Sequence, residues 1–559
     1  MKKLSKNDLS FRQIRQGDYL YADKTEYIYN LLKDDPTNFC FLSRPRRFGK
    51  TLLLNTIEEL FQGDRELFRG LKIDNCGYKF ERHPVLSFDM SYAAVYTKDD
   101  LIDNIKEDLT SFAEDFGVTI KSKLFSKMLQ QLLKGISNKH GASVVILVDE
   151  YDAPLAEHIL EDETADDIRK VLHDFYRGLK SNIRYIRLAF VTGITRFAMT
   201  ALDSGPNNFF DISLVPEFGG ICGFTKSEMR TLFSERFEET LTALKDNGKI
   251  PPDTDIDDLK LMIEDYYDGY NWLGKENVLN PYSLLRFFSL NEFDTYWPLS
   301  GQPSHLSALV RQNPLAFILP KLEAYPAILT RKAALSTFEA VPILFHSGYL
   351  TIDKPVIIEE IKDDKVVKKS GYSFKIPNTE VRQDFEFNLF LYAFDPKGLF
   401  FGQFSIELPK ALLKKDSKKT AVLLHNLLSA ISSEQHDPNE KHYHAVIQAA
   451  FIAAGLEVLC QTPSSSDGKS DMSLFLKEIR FVVEVKYCKA DKIDADDKVK
   501  ADKELEAALD SAADQITAKD YVAPFRVAGK KTVAVAIAVR GRNEVAVRFF
   551  EPSDFTDIY

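Results

Sequence analysis

The sequence predicts an α/β protein of several domains, with a parallel sheet near the N-terminus, a helical and winged-helix-like middle region, and a second α/β domain at the C-terminal end. Three stretches lead to this prediction. Residues 44–51 (RPRRFGKT) join a β-prone run to a helical pattern, residues 142–152 form an apolar strand ending in carboxylates, and residues 471–487 read as an acidic hairpin. A chain of 559 residues has room for three or four domains of about 150 residues each.

The composition is that of a globular protein, with 45% hydrophobic residues. The net charge of 72 − 83 = −11 excludes a broad basic coat for nucleic acid, although a local basic groove is compatible with it. The five cysteines are scattered without a C-x-x-C pair, which indicates neither a disulfide framework nor a zinc site. Because we find no apolar signal core and no apolar run of about 18 residues, we expect a soluble, cytoplasmic protein with no membrane partner.

Residues 1–38 predict a turn and a capped helix that lead into the first strand. Asp23 or Thr25 is the expected N-cap of this helix, because both side chains can accept a hydrogen bond from the first helical turn. Taken alone, this stretch indicates structure rather than function.

Residues 44–51 read as a phosphate-binding loop. They follow the apolar run 39–42 and precede a helical segment at 52–61. Free backbone N–H groups and the positive end of the helix therefore lie where a triphosphate can bind. Gly49 allows the turn, Lys50 can reach the β- and γ-phosphates, and the Thr51 hydroxyl can hold Mg²⁺. The alternative is a basic turn ahead of an amphipathic helix.

Arginines distinguish this loop from the full pattern G-x-x-x-x-G-K-[ST]. Arg44 stands where the pattern has its first glycine, which lowers the specificity of the motif taken alone. Arg46 and Arg47 are further candidates for contact with the nucleotide, and exposure to solvent is the alternative for both.

Residues 142–152 (ASVVILVDEYD) form the second informative stretch. Five consecutive β-branched or leucine residues predict a strand buried on both faces, as central parallel strands are. Ligands bind at the carboxyl ends of such strands, so Asp149 is placed to hold Mg²⁺ and Glu150 to polarise an attacking water. The alternative, a strand ending in a solvated acidic turn, is weakened by the phosphate-binding loop upstream. An earlier strand is predicted at 84–91, with helices over 98–136.

A further strand at residues 186–193 ends in Thr192 and runs on to Arg196. If this strand lies beside the acidic strand, Thr192 is placed to sense the γ-phosphate, and Arg196 can stabilise charge there. The alternative for Arg196 is a surface arginine in a loop.

The middle of the chain is predicted to be a helical lid followed by a winged-helix-like region. Residues 216–297 are helical with aromatic-rich turns, and Asn280 is expected to cap one helix. Residues 331–376 are predicted to begin with a helix, which is followed by the apolar stretch 342–352 and then by a hairpin around residues 362–364. The aromatic side chains here are expected in the core, with a stacking platform for bases as the alternative.

The C-terminal stretch carries a second set of chemically active residues. Glu484 and Lys486 are two apart in a predicted strand and so point to the same face, and a hairpin partner brings Asp471 beside them. Two carboxylates and a lysine can form a site for a hard divalent metal, to which Glu440 on the preceding helix adds a fourth group. The alternative is an ordinary solvated face, but Val482 makes full exposure of that face less favourable.

The last helix, predicted at 507–521, carries Gln515, Lys519 and Tyr521, which can face the same site. Strands at residues 531–539 and 545–550 are expected to complete a mixed sheet.

These residues carry a family resemblance. The stretches 21–25 (YADKT), 44–51, 148–152 (VDEYD) and 267–270 (YDGY) resemble the bacterial AAA-ATPase-like family, which is similar in having arginine at the first loop glycine. Proteins of that family commonly bear a C-terminal nuclease-like domain of the PD-(D/E)XK superfamily. Residues of the C-terminal stretch resemble that superfamily's acidic helix, metal aspartate, E-x-K pair and trailing helix motif, namely Glu440, Asp471, Glu484, Lys486, and Gln515 with Tyr521.

The resemblance implies an AAA-like P-loop ATPase core at 1–215, a helical lid at 216–330, a winged-helix-like region at 331–384 and a PD-(D/E)XK nuclease-like domain at 385–559. It implies an ATP-dependent or ATP-regulated nuclease that uses ATP and Mg²⁺, with Mn²⁺ as an alternative at the nuclease site. Nucleic acid is the expected partner, DNA being favoured, and a homo-oligomer is compatible. Two alternatives stay open: a nucleotide-switched regulatory protein whose C-terminal domain binds without cutting, and ATP binding without hydrolysis.

Overall fold

The computed structural model describes residues 1–5, 8–33, 38–92, 95–156, 158, 162–195, 209–297, 322–326, 340–362, 365–385, 401–430, 440–463, 469–489, 498–522 and 531–551. The chain divides into two compact units, Met1–Leu309 with Lys321–Arg382 and Val310–Pro320 with Gln383–Tyr559. Each unit contains a five-stranded β-sheet.

The first unit is built on a parallel sheet. Its strands are β1 (Asn38–Ser43), β2 (Val85–Asp89), β3 (Val144–Asp149), β4 (Ile186–Gly193) and β5 (Phe210–Asp211). They lie in the order β2-β3-β4-β1-β5, and every residue of β3 is buried. Since β4 lies between β1 and β3, the carboxyl ends of these three strands meet at one edge of the sheet. The predicted parallel sheet with a central buried strand is confirmed.

Helices cover this sheet. They are α1 (Phe11–Gln16), α2 (Thr25–Leu32), α3 (Lys50–Gln62), α4 (Lys98–Asp115), α5 (Phe125–His140), α6 (Ala153–Ala156) and α7 (Asp162–Ser181). α3 packs against β2, β3 and β4, whereas α4, α5 and α7 pack on one another. Their buried apolar side chains join those of the strands in one cluster, which removes apolar surface from water and holds the sheet edge in place.

Side-chain caps fix the N-terminal segment. Ser10 and Gln13 form a capping box at the start of α1. Asp23 accepts hydrogen bonds from the N–H and hydroxyl of Thr25 at 3.0 and 2.6 Å, and from the N–H of Lys72 at 2.7 Å. The N-cap of α2 is Lys24, which forms no side-chain capping hydrogen bond, and Thr25 is the first residue of the helix, so the prediction of Asp23 or Thr25 as the N-cap is wrong.

A helical region with its own core follows in the same unit. It comprises α8 (Lys226–Leu232), α9 (Phe237–Asp246), α10 (Ile256–Tyr267) and α11 (Pro281–Leu290), with the short antiparallel strands β6 (Phe224–Thr225) and β7 (Val278–Leu279). Its aromatic side chains are buried together, for example the stacked rings of Phe233 and Phe288. Asn280 caps α11 as predicted, accepting hydrogen bonds from the N–H groups of Tyr282 and Ser283 at 2.9 and 3.3 Å.

A long antiparallel hairpin completes the first unit. The elements are β8 (Glu323–Ala324), α12 (Ala340–Ser347), β9 (Thr351–Lys362), β10 (Lys365–Lys375) and, across the boundary of the units, α13 (Thr379–Asp384). The hairpin turns after Lys362, as predicted, and residues 342–347 of the predicted stretch are helical; residues 331–339 lie outside the described residues.

The base of this hairpin lies against other parts of the first unit. A Cβ on Gly348 would come within 3.0 Å of Pro45 Cβ, so the chain after α12 packs closely on the loop that follows β1. At the start of β9, the Thr351 hydroxyl accepts a hydrogen bond from Asn271 N–H at 2.7 Å. The first contact places the hairpin base beside the predicted phosphate-binding loop, and the second joins it to the helical region.

The second unit contains a mixed sheet. Its strands β11 (Glu457–Pro463), β12 (Lys469–Leu476), β13 (Ile479–Cys488), β14 (Lys531–Arg540) and β15 (Glu544–Phe550) lie in that order, and only β13 and β14 are parallel among neighbouring described strands. The helices are α14 (Phe401–Leu413), α15 (Ser417–Ala430), α16 (Glu440–Ala453) and α17 (Lys498–Ala518). α16 packs on β11 to β13, and α17 packs on β13 to β15. The predicted mixed sheet is confirmed.

The last helix differs from its prediction. α17 begins at Lys498, nine residues before the predicted start at residue 507. Residues 498–506 are mostly charged and show no apolar period of 3.6, which is the signal on which helix prediction depends. Among the described residues, no helix combines the length and the apolar content that crossing a bilayer requires.

Candidate nucleotide and metal sites

Lys50 lies at the start of α3, immediately after a residue in the left-handed conformation. Gly49 has a φ of 90°, which an L side chain rarely adopts, so glycine is required at this turn. The ammonium of Lys50 is buried and donates hydrogen bonds to the carbonyl oxygens of Arg44 and Pro45 at 3.0 and 3.1 Å. Burial lowers its pKa, against the opposing charges of Asp149 and nearby carboxylates.

Asp149 links the loop to the neighbouring strand. Its Oδ2 accepts a hydrogen bond from the Thr51 hydroxyl at 2.6 Å, and its Oδ1 accepts one from the Thr192 hydroxyl at 2.5 Å. The three residues stand at the loop and at the ends of β3 and β4, so the order of the strands brings them together. A hydroxyl and a carboxylate are hard oxygen ligands, and this pair fits the predicted Mg²⁺.

Glu150 lies beside these residues in an unusual backbone conformation. Its φ of 48° is in the left-handed region, where residues other than glycine are uncommon. Burial raises the pKa of its carboxyl, and the nearby charges of Lys50 and Arg46 lower it by smaller amounts. A half-buried carboxylate with a raised pKa at this edge is suited to accepting a proton from water near neutral pH.

Tyr151 and Asp152 hold the turn after β4. The sequence assigned them no role beyond membership of the motif at residues 148–152. Asp152 Oδ2 accepts hydrogen bonds from the N–H and hydroxyl of Thr195 at 2.7 and 2.6 Å, and the Tyr151 hydroxyl donates to the Thr195 carbonyl at 2.9 Å. A Cβ on Gly193 would come within 2.4 Å of the Tyr151 ring. The turn that follows Thr192 is thus fixed from β3; Arg196, predicted nearby, lies outside the described residues.

Arg44 explains why the loop needs no glycine at its first position. It is fully buried and is not among the residues with positive φ. Its guanidinium donates hydrogen bonds to the carbonyls of Ser43, Ser213 and Phe218 at 2.8, 2.9 and 3.3 Å, and lies 4.3 Å from the ring centroid of Trp272. The side chain therefore joins the end of β1 to the start of the helical region.

Arg46 and Arg47 differ in their surroundings. Arg47 forms an ion pair with Asp8 at 2.7 Å, and its guanidinium lies over the Tyr282 ring. Both arginines line the cavity that Glu150 also lines, and the charge of Arg46 lowers the pKa of that carboxyl. Of the two arginines, Arg46 has the surroundings that agree better with a role at phosphate.

A cavity of about 880 Å³ opens at this edge of the sheet, within the range of small-molecule sites. The loop, Glu150, the N-terminal segment around Tyr21 and Lys24, and α11 line it. Arg286 of α11 reaches this cavity, and its Nε has no hydrogen-bond partner among the described residues. Arg286 was not predicted to be a site residue. Its position as the one arginine in the apolar helical run 281–288 could have indicated it.

In the second unit, the hairpin of β12 and β13 joins Asp471 to Glu484. The Val485 N–H donates to Asp471 Oδ2 at 2.8 Å, and the Asp471 N–H donates to Glu484 Oε2 at 3.3 Å. Lys486 donates to Glu484 Oε1 at 3.3 Å and to Glu440 Oε1 at 3.4 Å. The four residues predicted to form one site are therefore neighbours.

Glu484 is the most deeply buried carboxylate of this group, with 1% of its surface exposed. Burial raises its pKa to about 7, the charge of Asp471 adds to the rise, and Lys486 opposes it. Near neutral pH this carboxyl is thus easily protonated, and a cation beside it would stabilise the charged form.

His444, on α16, is a neighbour of the same group to which the sequence reading gave no role. Its Nε2 lies 3.9 Å from Asp471 Oδ1. Within the described ranges, no three His, Cys, Asp or Glu side chains are already arranged at metal-ligand distances. The donor set of carboxylates nevertheless fits a divalent cation in its chemistry.

Gln515 and Tyr521 form a pair of their own, in which the Gln515 amide donates to the Tyr521 hydroxyl at 3.0 Å. Tyr521 is buried against Val482, two residues before Glu484 on the same face of β13. Whether Gln515, Lys519 and Tyr521 take part in the site stays a prediction.

The fold and the two sites define the class: an α/β protein with an ATPase-like parallel-sheet domain and a nuclease-like mixed-sheet domain. Residues 9–203 match the family described as "Predicted AAA-ATPase", and residues 438–549 match the PD-(D/E)XK nuclease superfamily. The chain is 31% identical over 497 residues to "Uncharacterized protein in vnfD 5'region" of Azotobacter chroococcum mcd 1, covering 87% of this chain and 89% of that protein. The chain belongs to this family of AAA-ATPase-like proteins with a C-terminal PD-(D/E)XK domain, which confirms the resemblance.

A solved structure described as "Structure of Drosophila ORC bound to GC-rich DNA and Cdc6" shares 10% identity, covers 50% of this chain and 90% of that chain, and has a TM-score of 0.18. A likeness of this size carries no argument about the present chain. The roles of individual site residues and the four domain boundaries stay predictions.

Proposed function

We propose that this protein is an ATP-dependent or ATP-regulated nuclease, which hydrolyses phosphodiesters at the second unit under the control of ATP bound at the first. The observation that carries the proposal is the presence of two separate groups of residues suited to phosphate chemistry. One group is Thr51, Asp149 and Thr192, joined by hydrogen bonds; the other is Asp471, Glu484 and Lys486.

At the first group, Lys50 would bind the β- and γ-phosphates, while Thr51 and Asp149 would hold Mg²⁺. Bound Mg²⁺ supplies neutralisation of phosphate charge. Glu150 would accept a proton from the attacking water, for which its raised pKa is suited. Thr192 would report the state of the γ-phosphate to Asp149, and Arg46 and Arg196 would add positive charge.

At the second group, Asp471, Glu484 and Glu440 would hold a divalent cation. The cation, Mg²⁺ or Mn²⁺, supplies charge neutralisation and a more acidic water. Lys486, between Glu484 and Glu440, would orient the attacking water or neutralise charge on the phosphate. DNA is the favoured substrate, and the cytoplasm is the proposed location.

Cleavage of single- and double-stranded DNA and RNA, with Mg²⁺ or Mn²⁺ and with or without ATP, tests the proposal. Lys50→Ala and Asp149→Ala should abolish ATP turnover, whereas Asp471→Ala or Lys486→Ala should abolish cleavage and leave ATP turnover in place. Cleavage by the double variant Asp471→Ala, Glu484→Ala would contradict the assignment of nuclease activity to this site.

A second candidate is a nucleotide-switched regulatory protein whose C-terminal domain binds nucleic acid or a partner without cutting. The net charge of −11 favours it, because it offers no broad attraction to nucleic acid. Binding of DNA without cleavage under every metal condition above would support it, and release of phosphate at steady state would exclude ATP binding without hydrolysis.

A further inference from the structure

One side chain beside the acidic group of the second unit has no role in the proposal above. α16 begins at Glu440, and His444 lies four residues later, on the same face of the helix. The Nε2 atom of His444 is shielded from solvent and has no hydrogen-bond partner among the described residues. A buried polar atom without a partner is unfavourable, so this nitrogen calls for an explanation.

The neighbour of this nitrogen is a predicted metal ligand. His444 Nε2 lies 3.9 Å from Asp471 Oδ1, which is too far for a hydrogen bond. With metal–ligand distances near 2.1 Å, two atoms on one octahedral cation are about 3 Å apart when adjacent and about 4.2 Å apart when opposite. The observed separation lies between these two values, so a shift of a few tenths of an ångström in either side chain would let one cation contact both atoms.

Burial limits what else can occupy the space. Only about a fifth of the His444 side chain is exposed, and Asp471 Oδ2 is already occupied by the Val485 N–H. Oδ1 is thus the Asp471 atom left to face the imidazole. Glu484 is fixed on the other side by Asp471 N–H and Lys486.

We propose that His444 is a ligand of the divalent cation at this group, and that it makes the group favour a transition-metal ion over Mg²⁺. The inference rests on the proposed nuclease site and names its cofactor class. Mg²⁺ is held by oxygen ligands and water, whereas an imidazole nitrogen is a ligand of transition-metal ions. A donor set that adds one imidazole to the carboxylates of Asp471, Glu484 and Glu440 therefore selects by ligand type.

Binding of Mn²⁺ tests the inference without any measurement of activity. The full chain is titrated in the absence of nucleotide and in an Asp149→Ala background, so that the first unit contributes no site. Free Mn²⁺ is followed by its electron paramagnetic resonance signal, and Mg²⁺ is added as a competitor. His444→Ala should weaken Mn²⁺ binding about tenfold or more, since even partners of ligands contribute that much.

Two further variants separate ligation from packing. His444→Gln replaces the nitrogen by an amide oxygen, and should lower the ratio of Mn²⁺ to Mg²⁺ affinity while the fold, followed by circular dichroism, is unchanged. His442→Ala is the matched control on the same helix, where the His442 ring packs edge-on against Tyr443, and should leave Mn²⁺ affinity as it is.

The outcomes distinguish this inference from the proposed function. Unchanged Mn²⁺ affinity in His444→Ala, together with loss of binding in Asp471→Ala, would overturn the role of His444 and support the metal site. An equal loss in His442→Ala would also overturn it. If the protein with an intact second unit binds neither cation, both the inference and the nuclease proposal fail.

Discussion

Arg44 shows how one residue can replace a motif position by contacts that the motif does not contain. The loop pattern has glycine there, yet the buried guanidinium of Arg44 satisfies three carbonyl oxygens and stacks on Trp272. The sequence predicted the loop from Gly49, Lys50 and Thr51. It could not predict the role of Arg44, because all its named partners except the adjacent Ser43 are about 170 to 230 residues away along the chain.

Restoring the glycine should therefore harm the protein. We expect Arg44→Gly to lower the free energy of unfolding of the first unit by about 3 kcal/mol or more, since buried carbonyls lose their donors. Denaturant unfolding followed by the fluorescence of Trp272 and Trp297, which both lie in the first unit, measures this, with Arg69→Gly, an exposed arginine, as the control. A variant as stable as the parent, or one with faster ATP turnover, would contradict this view of Arg44.

Glu484 gives the second unit a pH dependence. Its pKa of about 7 in the folded state is raised above the ordinary value near 4.5, so its contribution to stability is present below about pH 4.5 and is lost as pH rises through 7. The loss amounts to about 3 kcal/mol. Unfolding of the second unit with a chelator present should show this fall.

The side chain of the Glu484→Gln variant cannot ionise, so the stability of its second unit should not fall as pH rises. Above pH 7 the variant should be more stable than the parent, and it should lose metal binding. Glu478→Gln, on the turn between β12 and β13, is the control for a carboxylate change. Parallel pH profiles of the parent and Glu484→Gln would show that burial of Glu484 has no such effect.

At the scale of elements, the turn after β4 depends on close packing against β3. Gly193 has no room for a side chain, because Tyr151 and Asp152 lie where its Cβ would be. We expect Gly193→Ala to destabilise the first unit by about 1–3 kcal/mol and to slow ATP turnover, since Thr192 is displaced from Asp149. Unfolding and phosphate release measure the two effects.

Gly402→Ala is the matched control, because none of the residues that the structure describes lies within 4 Å of its added Cβ, and α14 gains a better helix former. If Gly193→Ala behaves like Gly402→Ala in both measurements, the turn after β4 is not fixed in the way described.

Element prediction succeeded where one local signal sufficed. The apolar run of β3 and the cap at Asn280 are both visible within about ten residues, and both are confirmed. It failed at the start of α17, where charged residues form a helix because later turns pack on the sheet. Asp152, Arg286 and His444 were likewise out of reach, since their importance depends on what the fold brings beside them.

At the scale of the whole molecule, the two groups of phosphate-chemistry residues belong to different units of the chain. Lys50→Ala should therefore leave binding of Mn²⁺ at the second unit unchanged while it removes the response of cleavage to ATP. Calorimetric Mn²⁺ titration and cleavage assays with and without ATP provide the comparison. Loss of Mn²⁺ binding in Lys50→Ala would show that the second unit does not fold or bind independently of the first.

The contact between Gly348 and Pro45 has a mechanical consequence. The hairpin of β9 and β10 starts at this contact and continues for 12 and 11 residues, which corresponds to a length of about 40 Å. The base of this hairpin lies at the phosphate-binding loop, and its far end lies at the turn between β9 and β10. A rotation of about 10° at the base would move the far end of the hairpin by about 7 Å.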